Sequence, residues 1–95
     1  MKRKKVYKAI DSERDYQDRQ TADPNRPDMV EDFGIGQAIL AMEHNLAFAR
    51  SVWYIDDPNS HFVSTMDYLR KVVAIGVKMG EKYGMPFRFD ETATG

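Results

Sequence analysis

Apolar residues recur through the middle of this chain at the spacing of a helix seam. Ile35, Ile39, Met42, Leu46, Ala49 and Trp53 follow one another at intervals of four, three, four, three and four. That heptad rhythm keeps one stripe of a helix turned toward a partner helix. The pattern predicts a helix over about residues 29–55, with Asp28 and Glu31 in the spacing of a capping box at its start. A second run of Phe62, Thr65, Leu69, Val72, Gly76, Met79 and Tyr83 predicts another helix over 61–83. Gly84 supplies a left-handed terminator and Pro86 blocks continuation. Between the two, Asp56-Asp57-Pro58-Asn59-Ser60 combines cap residues with a proline suited to a first helical position. Upstream, residues 4–19 read as a shorter helix. Its stripe starts apolar at Val6 and Ile10 and turns polar through Glu13, Arg14 and Gln17. In the linker 20–28, Asp23-Pro24 and Arg26-Pro27 turn the chain away from helix. Residues 89–95 read as a flexible tail. Two long helices joined by so short a connection must run antiparallel. The expected fold is all-α: a single domain over 1–95, built as an antiparallel helical hairpin with a shorter N-terminal helix leaning on it.

Such a hairpin leaves apolar residues over. Leu40, Phe48 and Val52 lie outside the first seam, and Met66, Val73, Ile75 and Val77 outside the second. The N-terminal helix is too polar to cover them, and large exposed apolar patches are unusual on monomers. Small residues add to this: Gly76, Gly80 and Gly84 are four apart, and Gly34, Gly36, Ala38 and Ala41 crowd the start of the longer helix. Helical glycine costs about 1 kcal/mol against alanine, and close backbone approach is the usual compensation. The chain is therefore expected to assemble as a homo-oligomer.

Composition narrows the chemistry. The chain has 95 residues, with 14 Lys+Arg against 15 Asp+Glu, a formal charge of −1. No global field recruits nucleic acid or an anionic membrane. The basic opening Lys2-Arg3-Lys4-Lys5 has no interleaved aromatic for a nucleic-acid surface and no apolar stretch after it for a signal peptide. No stretch is apolar enough to span a bilayer, so the expected location is the cytoplasm. There is no cysteine, which removes disulfides, thiol nucleophiles and cysteine-based metal sites. His44 and His61 lack companions at ligand spacing, and no phosphate-binding glycine loop or serine-nucleophile motif is present. Small all-α nucleotide pyrophosphohydrolases hold magnesium with clustered carboxylates. Here Asp15-x-x-Asp18, Asp28-x-x-Glu31, Glu43 and Glu81 are scattered as caps and solvated faces would place them. No catalytic residues, metal ligands or cofactor are expected.

A site for a flat, anionic ligand is better supplied. Glu13 and Gln17 stand one turn apart with Tyr16 beside them, and Arg14 lies between. In the last helix Arg70 and Lys71 interrupt an apolar run, and Arg88 follows the Gly-Met-Pro end. Arginine forks suit phosphate, and aromatic rings hold a base by stacking. The candidate ligand-binding set is Glu13, Arg14, Tyr16, Gln17, Arg70, Lys71 and Arg88. Tyr16 would stack on a base, Gln17 and Glu13 would read polar edges or ribose, and the four cations would neutralise phosphate. The plainer alternative has Arg70 and Lys71 simply pairing with Asp67 on a solvated face.

The run Glu13-Arg14-Asp15-Tyr16-Gln17, then Leu69-Arg70-Lys71-Val72-Val73-Ala74, then Glu81-x-x-Gly84-Met85-Pro86-x-Arg88 resembles a family of small bacteriophage proteins. That family shares E-R-x-Y-Q, L-R-K-V-x-A and G-x-P-x-R motifs, and the likeness covers most of residues 6–88. Thr21 and Ala22 stand where the family often carries a tryptophan. The expected architecture is also similar to phage sponge proteins that counter CBASS and Thoeris immunity. Those are helical-hairpin oligomers that sequester cyclic nucleotides or cyclic ADP-ribose derivatives without cleaving them. The resemblance implies a phage-encoded anti-defence protein that binds a nucleotide-type signal and itself. One alternative is a protein-interaction module that inhibits a host or phage protein through its apolar helix face. The other is the metal-dependent pyrophosphohydrolase.

Overall fold

The computed structural model describes residues 1–23, 25 and 34–89. Three α-helices account for most of them: α1 Arg3–Ala22, α2 Ile35–Val52 and α3 Val63–Tyr83. A single 3-10 turn, Pro58–Ser60, precedes α3, and no strand occurs among the described residues. None of the helices is long and apolar enough to cross a membrane.

The central helix is α3, which packs against both α2 and α1. Its two neighbours use different faces. Toward α2, Ile75 and Met79 meet Ala38, with Ala41 and Met42 packed alongside. Farther along the same contact, the Phe48 and Tyr68 rings stack with centroids 5.2 Å apart. Toward α1, α3 presents Arg70, Ala74, Val77 and Glu81, at spacings of four, three and four.

The α2 seam is not where the heptad rhythm alone places it. Ile35, Ile39, Leu46 and Trp53 are each about half exposed; of the six expected residues, only Ala49 is buried and Met42 partly so. The residues turned inward are Ala38, Ala41, Met42, Asn45, Ala49 and Val52. Without Ala41, which lies beside Met42, they follow four-three spacing, and the set is centred roughly 70° around the helix from the expected stripe at 100° per residue. Small side chains bring the two helix backbones close, and the large ones are left on the outer flank. No large side chain in the described chain is fully buried. The α3 seam comes closer to expectation: Leu69, Val72 and Gly76 are partly buried and Met79 is buried, while Phe62 and Tyr83 at its ends are exposed.

Local chemistry sets the ends. Gln37 Oε1 accepts from the Gly34 N–H at 2.8 Å and starts α2 at Ile35. The expected cap at Asp28 and Glu31 lies outside the described residues. The N–H groups of Ile55 and Asp56 both bond to the Val52 carbonyl, which ends α2 short of the expected Ile55. Pro58 occupies the first position of the 3-10 turn, capped by Asp57, whose carboxylate accepts from the Asn59 N–H. His61 and Phe62 then both take positive φ, at 56° and 53°. The Asp56 carboxylate holds this corner by accepting from both the N–H and the hydroxyl of Thr65, capping α3 from outside. At the other end Gly84 has φ +88°, a conformation side chains rarely adopt. The chain folds back there, so that a Cβ on Gly80 would stand 3.3 Å from Met85 Cε.

Left-handed backbone costs a non-glycine residue about 1–2 kcal/mol. His61→Gly should therefore leave stability unchanged or raise it by about 0.5–1 kcal/mol, net of the greater freedom of glycine in the unfolded chain. Met79→Ala, which empties the α2–α3 contact, should cost about 2–4 kcal/mol. Urea unfolding followed by circular dichroism reads both.

Candidate binding site on the α1–α3 seam

The α1 helix has almost no apolar face with which to dock. Its two buried residues are Glu13 and Arg14, each 7% exposed. Neighbouring residues on a helix diverge by about 100°, so these two flank a common stripe with Ile10 and Gln17, both partly buried. Buried charges must be paired, and each finds its partner on α3.

Arg14 engages four of its five N–H donors. Its Nε donates to Glu81 Oε2 at 2.7 Å and its Nη2 to Glu81 Oε1 at 3.1 Å. The same Nη2 donates to Asp18 Oδ1 at 3.0 Å, and Nη1 to Gln17 Oε1 at 3.2 Å. This is a two-pronged guanidinium–carboxylate contact with lateral support, the strongest geometry for such a pair. Hydrogen bonding from Arg14 holds the Glu81 carboxyl below its usual value. Glu81 in turn raises Arg14, against the desolvation that favours proton loss. Glu13 forms the reciprocal contact: its Oε1 accepts from Arg70 Nε at 2.8 Å. Arg70 Nη2 donates to Asp67, and Lys71 Nζ stands 3.7 Å from the other Asp67 oxygen. The bond to Glu13, then the one to Asp67, raises the Arg70 pKa. The order acid–base on α1 meets base–acid on α3, so the charges themselves select the pairing.

The seam therefore gathers Glu13, Arg14, Gln17, Arg70 and Lys71 from the seven sequence candidates. It also divides their roles. Glu13 and Arg14 are committed to carboxylate–guanidinium contacts and hold the helices together. Arg70 remains about one-third exposed, and Lys71 slightly more so, with its ammonium 5.4 Å from the centre of the Tyr68 ring. The pairing of both cations with Asp67 matches the plainer of the two sequence expectations. Tyr16 is exposed on α1, with the Arg19 guanidinium 6.0 Å over its ring. Arg88 is exposed beyond the end of α3. No described contact joins Tyr16 or Arg88 to the cluster. Gln20 Oε1 is buried without a hydrogen-bond donor among the described residues.

Glu81 was legible as an isolated carboxylate but not as the partner of Arg14. The signal was the Arg70-Ala74-Val77-Glu81 stripe, a second helical face charged at both ends. Among the described residues, no three His, Asp or Glu side chains gather where they could hold a metal ion. His44 is exposed, its ring edge-on to Phe48 at 4.8 Å. No family model, curated protein or solved structure matches the chain.

Removing Arg70 strands a buried carboxylate, whereas removing Glu81 leaves Arg14 with Asp18 and Gln17. Arg70→Met should thus cost about 2 kcal/mol, and Glu81→Gln about 1 kcal/mol or less. A carboxyl held low in the folded state contributes stability that is complete above its unfolded pKa and lost as pH falls through the folded value. The contribution of Glu81 should accordingly hold from neutrality down to its ordinary value of 4.5 and decline below it. Glu81→Gln should flatten that acid limb, read as the urea midpoint against pH.

Proposed function

We propose that this chain is a phage-encoded, non-catalytic binding protein that sequesters a nucleotide-derived immune signal without cleaving it. The signal is of cyclic oligonucleotide or cyclic ADP-ribose type, and the working form is a homo-oligomer of antiparallel helical hairpins. One observation carries the reading: Glu13, Arg14, Gln17, Arg70 and Lys71 converge on a single seam, although 57 residues separate Glu13 from Arg70. These are the residues of the E-R-x-Y-Q and L-R-K-V-x-A runs on which the resemblance to phage proteins rests. The hairpin is supported by the order of contacts, in which Phe48 meets Tyr68, Met42 lies against Gly76 and Ala38 against Met79.

In this reading the inner ion pairs are scaffold and the outer cations are the ligand surface. Arg14, held by Glu81, Asp18 and Gln17, fixes α1 on α3. Glu13 orients Arg70 through Nε, which leaves the far side of that guanidinium for a phosphate oxygen. Lys71 adds a second positive charge, and Tyr68 and Tyr16 supply rings for a base. Arg88, beyond α3, reaches a further phosphate.

A second reading is favoured by a separate observation, the half-exposed stripe of Ile35, Ile39, Leu46 and Trp53. Exposed apolar area of this kind serves protein contacts. It makes the chain an inhibitor that grips a protein through that helix face.

Capture and release separates the two. The purified protein is incubated with cyclic di- and trinucleotides, cyclic ADP-ribose isomers and ordinary nucleotides, with magnesium present. Unbound material is removed, the protein digested, and released compounds identified by mass spectrometry. An intact signal molecule should be recovered. Lys71→Ala and Tyr16→Ala, which leave the ion-pair scaffold in place, should each weaken capture about tenfold, or 1.4 kcal/mol, with helicity unchanged. Capture of nothing overturns the reading in favour of a protein partner. A converted product replaces it with an enzyme.

A further inference from the structure

The outer face of α2 is more than a set of exposed apolar residues. Glu43, Leu46, Ala47 and Arg50 occupy positions i, i+3, i+4 and i+7, the diamond that forms a hole for a knob from a facing helix. These four line a shallow groove that Trp53 and Thr65 extend. Ala47 gives that hole a low floor. Ile39 and Trp53, each seven residues from Leu46, stand above and below it. Glu43 and Arg50 flank the hole, one acidic and one basic, and neither has an ion-pair partner among the described residues.

We infer that the occupant of this groove is a second copy of the chain, its α2 laid antiparallel across the first about a two-fold axis near Leu46 and Ala47. This rests on the oligomeric reading above and names its interface. Charge complementarity and register together select this arrangement. A two-fold axis at the centre of the diamond lays Leu46 of each copy over the small Ala47 of the other. The same operation sets Glu43 of one copy opposite Arg50 of its partner, and Arg50 opposite the partner's Glu43. It also sets Leu40 opposite the partner's Trp53, both exposed apolar side chains. In heptad terms Glu43 and Arg50 share one flanking position, and antiparallel pairs bring such positions together across the seam. A parallel pair would instead bring Asn45 and Val52 to that flank, and α3 already partly buries both. An isologous contact of this kind closes on itself and leaves no open end to polymerise.

The test is sedimentation of charge-reversed chains, without any ligand. Wild type should self-associate. Glu43→Arg places two cations opposite each other at both pairs, and Arg50→Glu places two anions, so each variant alone should associate about tenfold or more weakly. An equimolar mixture of the two variants restores opposite charges at both positions and should recover association to near the wild-type level. Leu46→Asp should abolish association. A wild type that stays monomeric overturns the inference, as do single variants that associate like wild type or a mixture that stays apart. Because capture of a nucleotide is read separately, either result leaves the binding proposal to stand or fall by its own assay.

Discussion

Desolvated charge is what the attachment of α1 depends on. Glu13 and Arg14 lie in the contact with α3 where another helix would carry leucines, and a buried ion left unpaired costs several kcal/mol. The helix can dock only where α3 offers a guanidinium and a carboxylate at the right separation, which Arg70 and Glu81 provide. The attachment of α2 follows a different rule. Its core is Ala38, Ala41 and Met42 against Ile75 and Met79. One helix thus answers to two neighbours through two kinds of physics. Ionic strength and acid act on the α1 side, while temperature acts through hydrophobic burial on the α2 side.

The helices themselves were legible, because cap residues, proline and glycine punctuate the chain where the structure turns. What periodicity left open was which of two stripes on α2 faces α3. Ile35, Ile39, Leu46 and Trp53 carry the stronger apolar signal, yet a seam read from spacing does not say whether its partner belongs to the same chain. Side-chain size makes the choice: the alanines leave room for Ile75 and Met79 of α3, which the bulky row would not. The candidate site was legible as a set of residue types and only partly as an arrangement. Arginine and glutamate in one seam can satisfy each other, and here Glu81 takes two hydrogen bonds from Arg14. Its partner Glu81 lies 67 residues away, beyond the reach of any local pattern.

The division within the seam also decides what a bound anion would meet. Arg14 commits four of its five N–H donors to Glu81, Asp18 and Gln17. Arg70 is oriented from one side by Glu13 and from another by Asp67, with part of its fork still facing water. A cation held in place by carboxylates loses less freedom when a ligand arrives, though the same carboxylates temper its charge. If the proposed ligand docks there, several negative groups and a ring would suit the site better than a single inorganic anion.

The alanine-lined contact between α2 and α3 has a mechanical side. A surface with few projecting side chains resists lengthwise sliding poorly, because little interlocks across it. Alignment then falls to the fittings at its edges: the stacked Phe48 and Tyr68 rings, Met42 against Gly76, and the Asp56 carboxylate grasping Thr65 at the connector. The connector is thereby a length gauge. An inserted residue between Asp56 and Thr65 would be transmitted as a rigid displacement of one whole helix past the other, carrying Arg70 and Glu81 out of step with α1 at the far side of the molecule.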